Sequence, residues 1–286
     1  MMKTSLNPAR LGANGYSFKQ FVDLASEHGF NGIDFGIGGA MRLAETEGGA
    51  EALKDYAASK NVAPAVFGLD VEWRKDDATF QEGLLKLPAQ AAFAQALGSD
   101  RCTTWMPPSI NDEFSVWTER TASRFREVAI IFADAGIRLG LEWVGPHHLR
   151  AGGANPMGKY DTVHDIPGTL DLIAQTGLDN LGLLVDSYHC YTTGAGEAEV
   201  AALTDAQIVH VHINDAPKGV GPGGAKDGER LLPGEGEIDL EGFLRGLKTA
   251  GYTGYIAAEI LAPQDLAPNA EDAADKVRTS LRNLAL

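Results

Sequence analysis

Residues 240–259, LEGFLRGLKTAGYTGYIAAE, decide the fold. Phe243, Leu244 and Leu247 recur at helical spacing, so the first half reads as an amphipathic helix. Gly251 then tolerates the left-handed backbone at which such helices stop. The following GYIAAEI, 254–260, reads as a short apolar strand ending at Glu259. The same unit recurs upstream. Strands are expected at 3–7, 31–36, 62–69, 100–105, 137–143, 180–186, 207–214 and 253–260, with helical stretches between them and glycine stops at Gly29, Gly98, Gly136 and Gly177. Eight such alternations imply parallel strands joined by helical crossovers. The expectation is an α/β fold, a single-domain (β/α)8 TIM barrel over residues 1–286. Pro88 should kink or restart the helix over 76–97. GIGGA at 36–40 lacks the third glycine of a dinucleotide-binding loop and reads as a tight turn.

Composition narrows the function. With 286 residues and 44% hydrophobic content the chain can bury a full core, while a net charge of −15 opposes binding to nucleic-acid phosphates. A small solute is the expected partner, and assembly as a homo-oligomer stays open. Cys102 and Cys190 are too few for a disulfide framework and have no CxxC spacing. MMKTSLNPARLG has no apolar signal region, and no stretch approaches the roughly 20 apolar residues of a membrane span. A cytoplasmic protein without membrane contact is expected.

Four strand ends carry the chemistry. IRLGLEW, LGLLVD, QIVHVHIN and GYIAAEI bring Glu142, Asp186, His212 and Glu259 to the barrel face that holds active sites. Alternation puts Glu142 on one face with Arg138 and Gly140, His212 with His210 and Asn214, and Glu259 with Tyr255 and Ala257. All four side chains can point inward. A lone Glu at a strand end is ordinarily solvated or ion-paired, but carboxylates gathered inside a barrel repel unless a cation neutralises them. Three carboxylates and an imidazole suit one divalent ion, Mn²⁺, Co²⁺ or Mg²⁺, with Zn²⁺ a further option. His189, three residues after Asp186, lies near the pocket as a substrate contact or as a supporting core histidine, and His210 reads as a hydrogen-bonded core residue. His147 and His148 line the mouth or form a solvated loop pair. Trp105 and Trp143 pack in the core by default, or offer flat apolar faces to a ligand. The glycine-rich stretch 217–236, carrying Lys218, Lys226 and Arg230, reads as a mobile lid.

The motifs LEW at 141–143, VDSYH at 185–189, HIND at 212–215 and PGEGEIDLEGFLRGLKTAGYTGYIAAE at 233–259 resemble the xylose isomerase-like barrel superfamily, especially its inosose isomerases and ketose 3-epimerases. The resemblance implies that Glu142, Asp186, His212 and Glu259 bind one divalent metal and that the two glutamates flank the substrate and exchange its proton. It further implies that His189 and Arg230 hold substrate oxygens. The expected activity is isomerisation or epimerisation of a small ketose or keto-cyclitol, inosose-like, through a metal-stabilised enediolate. Dehydration of a ketosugar or inosose is the neighbouring chemistry, since the same enolate can expel a β-hydroxyl. Apurinic endonucleases share the barrel but use three zinc ions and extra histidines, whereas VFGLD and RCTTW end strands three and four here without a histidine. A noncatalytic sugar-binding subunit would not need both glutamates.

Overall fold

The computed structural model describes residues 2–284; Met1, Ala285 and Leu286 of the expected 1–286 domain lie outside the described residues. Eight parallel strands close a barrel: β1 (Lys3–Leu6), β2 (Gly32–Phe35), β3 (Ala63–Gly68), β4 (Arg101–Met106), β5 (Arg138–Trp143), β6 (Leu181–Asp186), β7 (Ile208–Ile213) and β8 (Tyr255–Ala258). Each pairs with its neighbours in sequence, and β8 pairs with β1 to close the ring. Their apolar content follows from burial on both faces, complete along β6 and β7. The strand bounds fall within two residues of those expected, so the TIM-barrel reading holds. A short antiparallel ribbon of Ser109–Ile110 with Tyr160–Asp161 lies outside the barrel and was not anticipated.

Helices cover the outer wall. The first, Phe18–Glu27, starts at Ser17, whose hydroxyl accepts the Gln20 N–H while the Gln20 side chain accepts that of Ser17. Gly98 and Gly177 end their helices at φ of 86° and 68°, as their position before a strand suggested. Gly36 alone joins β2 to the helix Ile37–Glu47, so the connection is tight as expected, but the rest of GIGGA is the first turn of the helix. Of the kink or restart expected at Pro88, the restart does not occur, because the helix Asp77–Leu97 runs through it. Pro88 is exposed, so the Leu84 carbonyl that loses its partner can turn to water on the convex side. Among the described residues, no helix is long and apolar enough to cross a membrane.

The barrel floor is packed by a small-to-large exchange. Gly140 and Gly182 face each other across β5 and β6, and Val209 of β7 fills the space above both. A Cβ on Gly140 would stand 3.0 Å from Val209 Cβ, and one on Gly182 only 2.6 Å from the Gln207 carbonyl oxygen. The second clash is with backbone, which cannot rotate away. Gly182→Val should therefore destabilise the fold by about 1–3 kcal/mol, the usual cost of overpacking. Urea denaturation of the two proteins checks this, and equal midpoints would contradict the packing account.

Candidate active site

Parallel strands deliver their C-terminal residues to one rim. Glu142 lies near the end of β5, Asp186 ends β6, His212 sits in β7 and Glu259 immediately follows β8. Strand register makes them neighbours: Asp186 pairs with His212, which pairs in turn with Ala257, two residues before Glu259. His212 Nδ1 is 3.4 Å from Glu142 Oε1, 3.4 Å from Glu259 Oε2 and 3.9 Å from Asp186 Oδ2. One atom from each residue falls within 4.8 Å of all the others. The cluster opens into a cavity of about 650 Å³ lined also by Asn7, Phe35, Phe67, Thr103 and Trp105. A larger groove of about 830 Å³ at the opposite end, around Lys3 and Tyr252, has no comparable cluster among the described residues.

Two observations test whether these residues fit a metal ion. Glu142 Oε1 and His212 Nδ1 are buried and have no hydrogen-bond partner, and leaving such groups unpaired costs about 1–3 kcal/mol each. The charges also crowd one another: burial, with Glu259 beside it, pushes the Glu142 carboxyl up. Burial opposes a charged His212, yet Glu259, Asp34 and Glu142 hold it well above the usual imidazole range. Burial opposes ionisation of Glu259 too, but His212 and Arg230 bring it down to about 2. The donor set fits a divalent ion.

Behind His212 stands Asp34, which the sequence reading missed. Its Oδ2 lies 3.8 Å from His212 Nε2, where its charge favours the protonated imidazole. Asp34 accepts from Ser5 Oγ at 2.5 Å and Asn7 Nδ2 at 3.0 Å, and lies 3.2 Å from His210 Nε2. Asp34, His210 and His212 also converge, but these bonds already occupy the Asp34 oxygens. They support the cluster rather than forming a second metal site. His210 is fully buried, matching the core role expected of it.

Arg230, expected to hold substrate oxygens from the glycine-rich loop, is 2% exposed and lies among the ligand candidates. Its Nη1 is 2.8 Å from Asp186 Oδ2 and 2.9 Å from Glu259 Oε2, and its Nη2 is 2.7 Å from Asp227 Oδ1. The loop that carries it is knotted down. The buried Asp215 carboxylate accepts the N–H groups of Ala216, Gly234, Gly236 and Ile238, and Asp215 bridges Leu231 through the backbone. Tyr188 donates to the Lys226 carbonyl, and Glu237 accepts from Gly219, Gly221 and Tyr191. Lys226 is an exposed partner of Glu229.

The other expected residues divide. His189 is buried, and its Nδ1 lies 3.2 Å from the Gly145 N–H, which donates to it. Its Nε2 is 3.8 Å from Glu142 Oε1 and 3.2 Å from Arg230 Nη2. Trp105 lines the cavity and is 39% exposed, whereas Trp143 is wholly buried in the core. His148 sits in the turn His147–Leu149, outside the cavity lining. Asn214, noted only for its parity, donates to both oxygens of Asp186.

Comparison with known proteins gives a consistent family. A family model for the xylose isomerase-like TIM barrel matches residues 22–284. An inosose isomerase of Bacillus velezensis is 23% identical over 275 residues, covering 95% of this chain and 92% of its own length. The solved structure of a xylose isomerase domain protein from Alicyclobacillus acidocaldarius is 36% identical, with a TM-score of 0.88 over 99% of this chain and 98% of that one. The IolI protein, solved with a zinc atom, shares the fold at 19% identity and a TM-score of 0.79, covering 99% and 98% of the two chains.

Removing Arg230 leaves Asp186, Asp227 and Glu259 without their shared cation, and breaking a buried ion pair costs about 3–5 kcal/mol. Arg230→Ala should lose about that much stability in metal-free buffer and regain part of it when a divalent ion is added. Urea denaturation with and without the ion measures both, and an unchanged midpoint in metal-free buffer would contradict the pairing.

Proposed function

Because this chain belongs to the xylose isomerase-like TIM-barrel family, we propose that it is a divalent-metal-dependent isomerase or epimerase of a small ketose or keto-cyclitol such as an inosose. The carrying observation is that Glu142 and Glu259 approach the same imidazole nitrogen at 3.4 Å from different strands, with 9% and 20% of their side chains exposed. Two carboxylates so placed can act on opposite faces of one substrate carbon.

Glu142, Asp186, His212 and Glu259 would hold the ion, which when bound supplies Lewis acidity to the oxygens beside the reacting carbon. One glutamate takes the proton next to the carbonyl, and the other returns one. Return to the same carbon from the opposite face gives the epimer; return to the neighbouring carbon gives the isomer. His189 and Arg230 border the same space and would orient substrate oxygens, the guanidinium without competing as a base. Trp105 presents an apolar wall for the ring. His148, further out, would take part only with a substrate reaching beyond the cavity. The inosose isomerase relationship supports the substrate class, and the IolI structure offers an example of a zinc atom on this fold. The small cavity favours a sugar or cyclitol over nucleic acid, and two buried free cysteines suit a reducing cytoplasm.

Glu142→Gln and Glu259→Gln keep an oxygen for the ion but lose the base. Each should lower deuterium uptake from D₂O into an inosose or ketose by at least about 10²-fold, the lower end of general-base contributions. Chelation of the native protein should abolish uptake, and Mn²⁺ or Co²⁺ should restore it. NMR reads uptake and product together, so a lost hydroxyl would identify dehydration instead. Wild-type uptake by either variant would remove that glutamate from the chemistry.

A further inference from the structure

A second cleft of about 300 Å³ opens beside the active cavity, between Trp73, Arg74, Trp105, Asn111 and Trp117. Trp105 lines both spaces, and its position in β4 lies directly across from Glu142 in β5, one strand spacing of about 4.8 Å away. Arg74 lies between two indoles, its Cζ 5.0 Å from the Trp73 ring centroid and 4.5 Å from that of Trp105. Only one of its nitrogens is engaged. Nη1 donates to the Trp105 carbonyl at 2.8 Å and to Thr104 Oγ1 at 3.2 Å. Among the described residues, Nε and Nη2 donate no hydrogen bond and the guanidinium pairs with no carboxylate.

Arg74 shares the lack of a carboxylate partner with Arg126, Arg138 and Arg150, and differs from them in lining a cleft beside the active cavity. Other inward arginines are occupied: Arg124 donates to the Trp73 and Lys75 carbonyls at 2.5 and 2.6 Å and pairs with Asp77, and Arg150 places Nε and Nη2 on the Gly145 carbonyl. The second arginine of the cleft, Arg120, is neutralised by Asp112. Arg74 is also held still. Arg124 fixes the backbone on both sides of it, and Trp73 Nε1 donates to Thr104 Oγ1 at 2.9 Å. The indoles desolvate the faces of the guanidinium and leave its edge as the direction of interaction. A planar, preorganised pair of donors with no internal acceptor matches an oxyanion.

We infer that Arg74 is an oxyanion subsite, so that the substrate handled in the neighbouring cavity carries a carboxylate or phosphate on the end remote from its carbonyl. This rests on the proton-transfer reading of that cavity. Trp105 would lie under the segment of substrate that joins the two ends.

The test compares deuterium uptake by wild type, Arg74→Gln and Arg74→Lys using a ketose, its terminal phosphate and the matching keto-aldonate, with circular dichroism as the check on folding. In Arg74→Gln the ratio of kcat/KM for an anionic over a neutral substrate should fall about 10- to 100-fold, as expected for hydrogen bonds to a charged group. The fall should appear mainly in KM. Arg74→Lys, which keeps the charge but not the planar fork, should recover part of it, and it carries the comparison if the glutamine variant does not fold. The substrate showing the larger fall distinguishes phosphate from carboxylate. Independently, titration with inorganic phosphate followed by phosphorus NMR should show weaker binding by Arg74→Gln. An equal ratio in wild type and variant overturns the subsite and leaves the proton-transfer reading standing. No uptake from any substrate, with phosphate binding still dependent on Arg74, overturns the reading and keeps the subsite. Phosphate binding indifferent to Arg74, with no uptake, overturns both.

Discussion

Negative charge confined around one imidazole nitrogen is the constraint on which the upper half of the barrel depends. Glu142, Asp186 and Glu259 converge on His212, with Asp34 behind it and Asp227 alongside, in a region of low accessibility. Such a cluster collapses or takes up protons unless cations are supplied in fixed places. Arg230 supplies one from the protein itself. Delivering a guanidinium to that depth from a connecting loop explains why a glycine-rich segment is tied so firmly. The four N–H groups gathered by Asp215 hold the loop in the one path that brings Arg230 inward.

How much of this can be read in the sequence depends on the kind of interaction. The barrel is legible because strand and helix periodicities are local, and because Gly98 and Gly177 mark helix ends with a backbone conformation few other residues accept. Glu142, Asp186, His212 and Glu259 are legible because strand ends in a parallel barrel share one rim. Asp34 is not, although it is the one charged residue in the run GIDF. It is bonded across the barrel interior to Ser5, Asn7 and His210, contacts no local pattern encodes. The glycine-rich loop misleads for a related reason. Composition speaks of backbone freedom, while the acceptor that cancels that freedom, Asp215, lies just before the loop in the HIND motif. Pro88 misleads through exposure, since its cost depends on which way the abandoned carbonyl faces.

The loop before the helix Asp77–Leu97 belongs to the same logic. Buried Arg124, on the neighbouring helix, donates to two of its carbonyls, and Trp73 and Arg74 both reach Thr104. Helix, loop and strand thereby meet at Trp105, so the wall of the cavity is set by residues that never face it.

The cavity opens at the rim. Val209 packs against Gly140 and Gly182 inside the barrel, and the interior of this architecture is filled by side chains, so the rim is the route by which a ligand enters and leaves. While a ligand occupies that opening, a proton held on either glutamate is shielded from the bulk. Isotope carried in by the substrate can then leave on the product, and the fraction retained becomes a clock for how long the mouth stays blocked relative to the chemistry within.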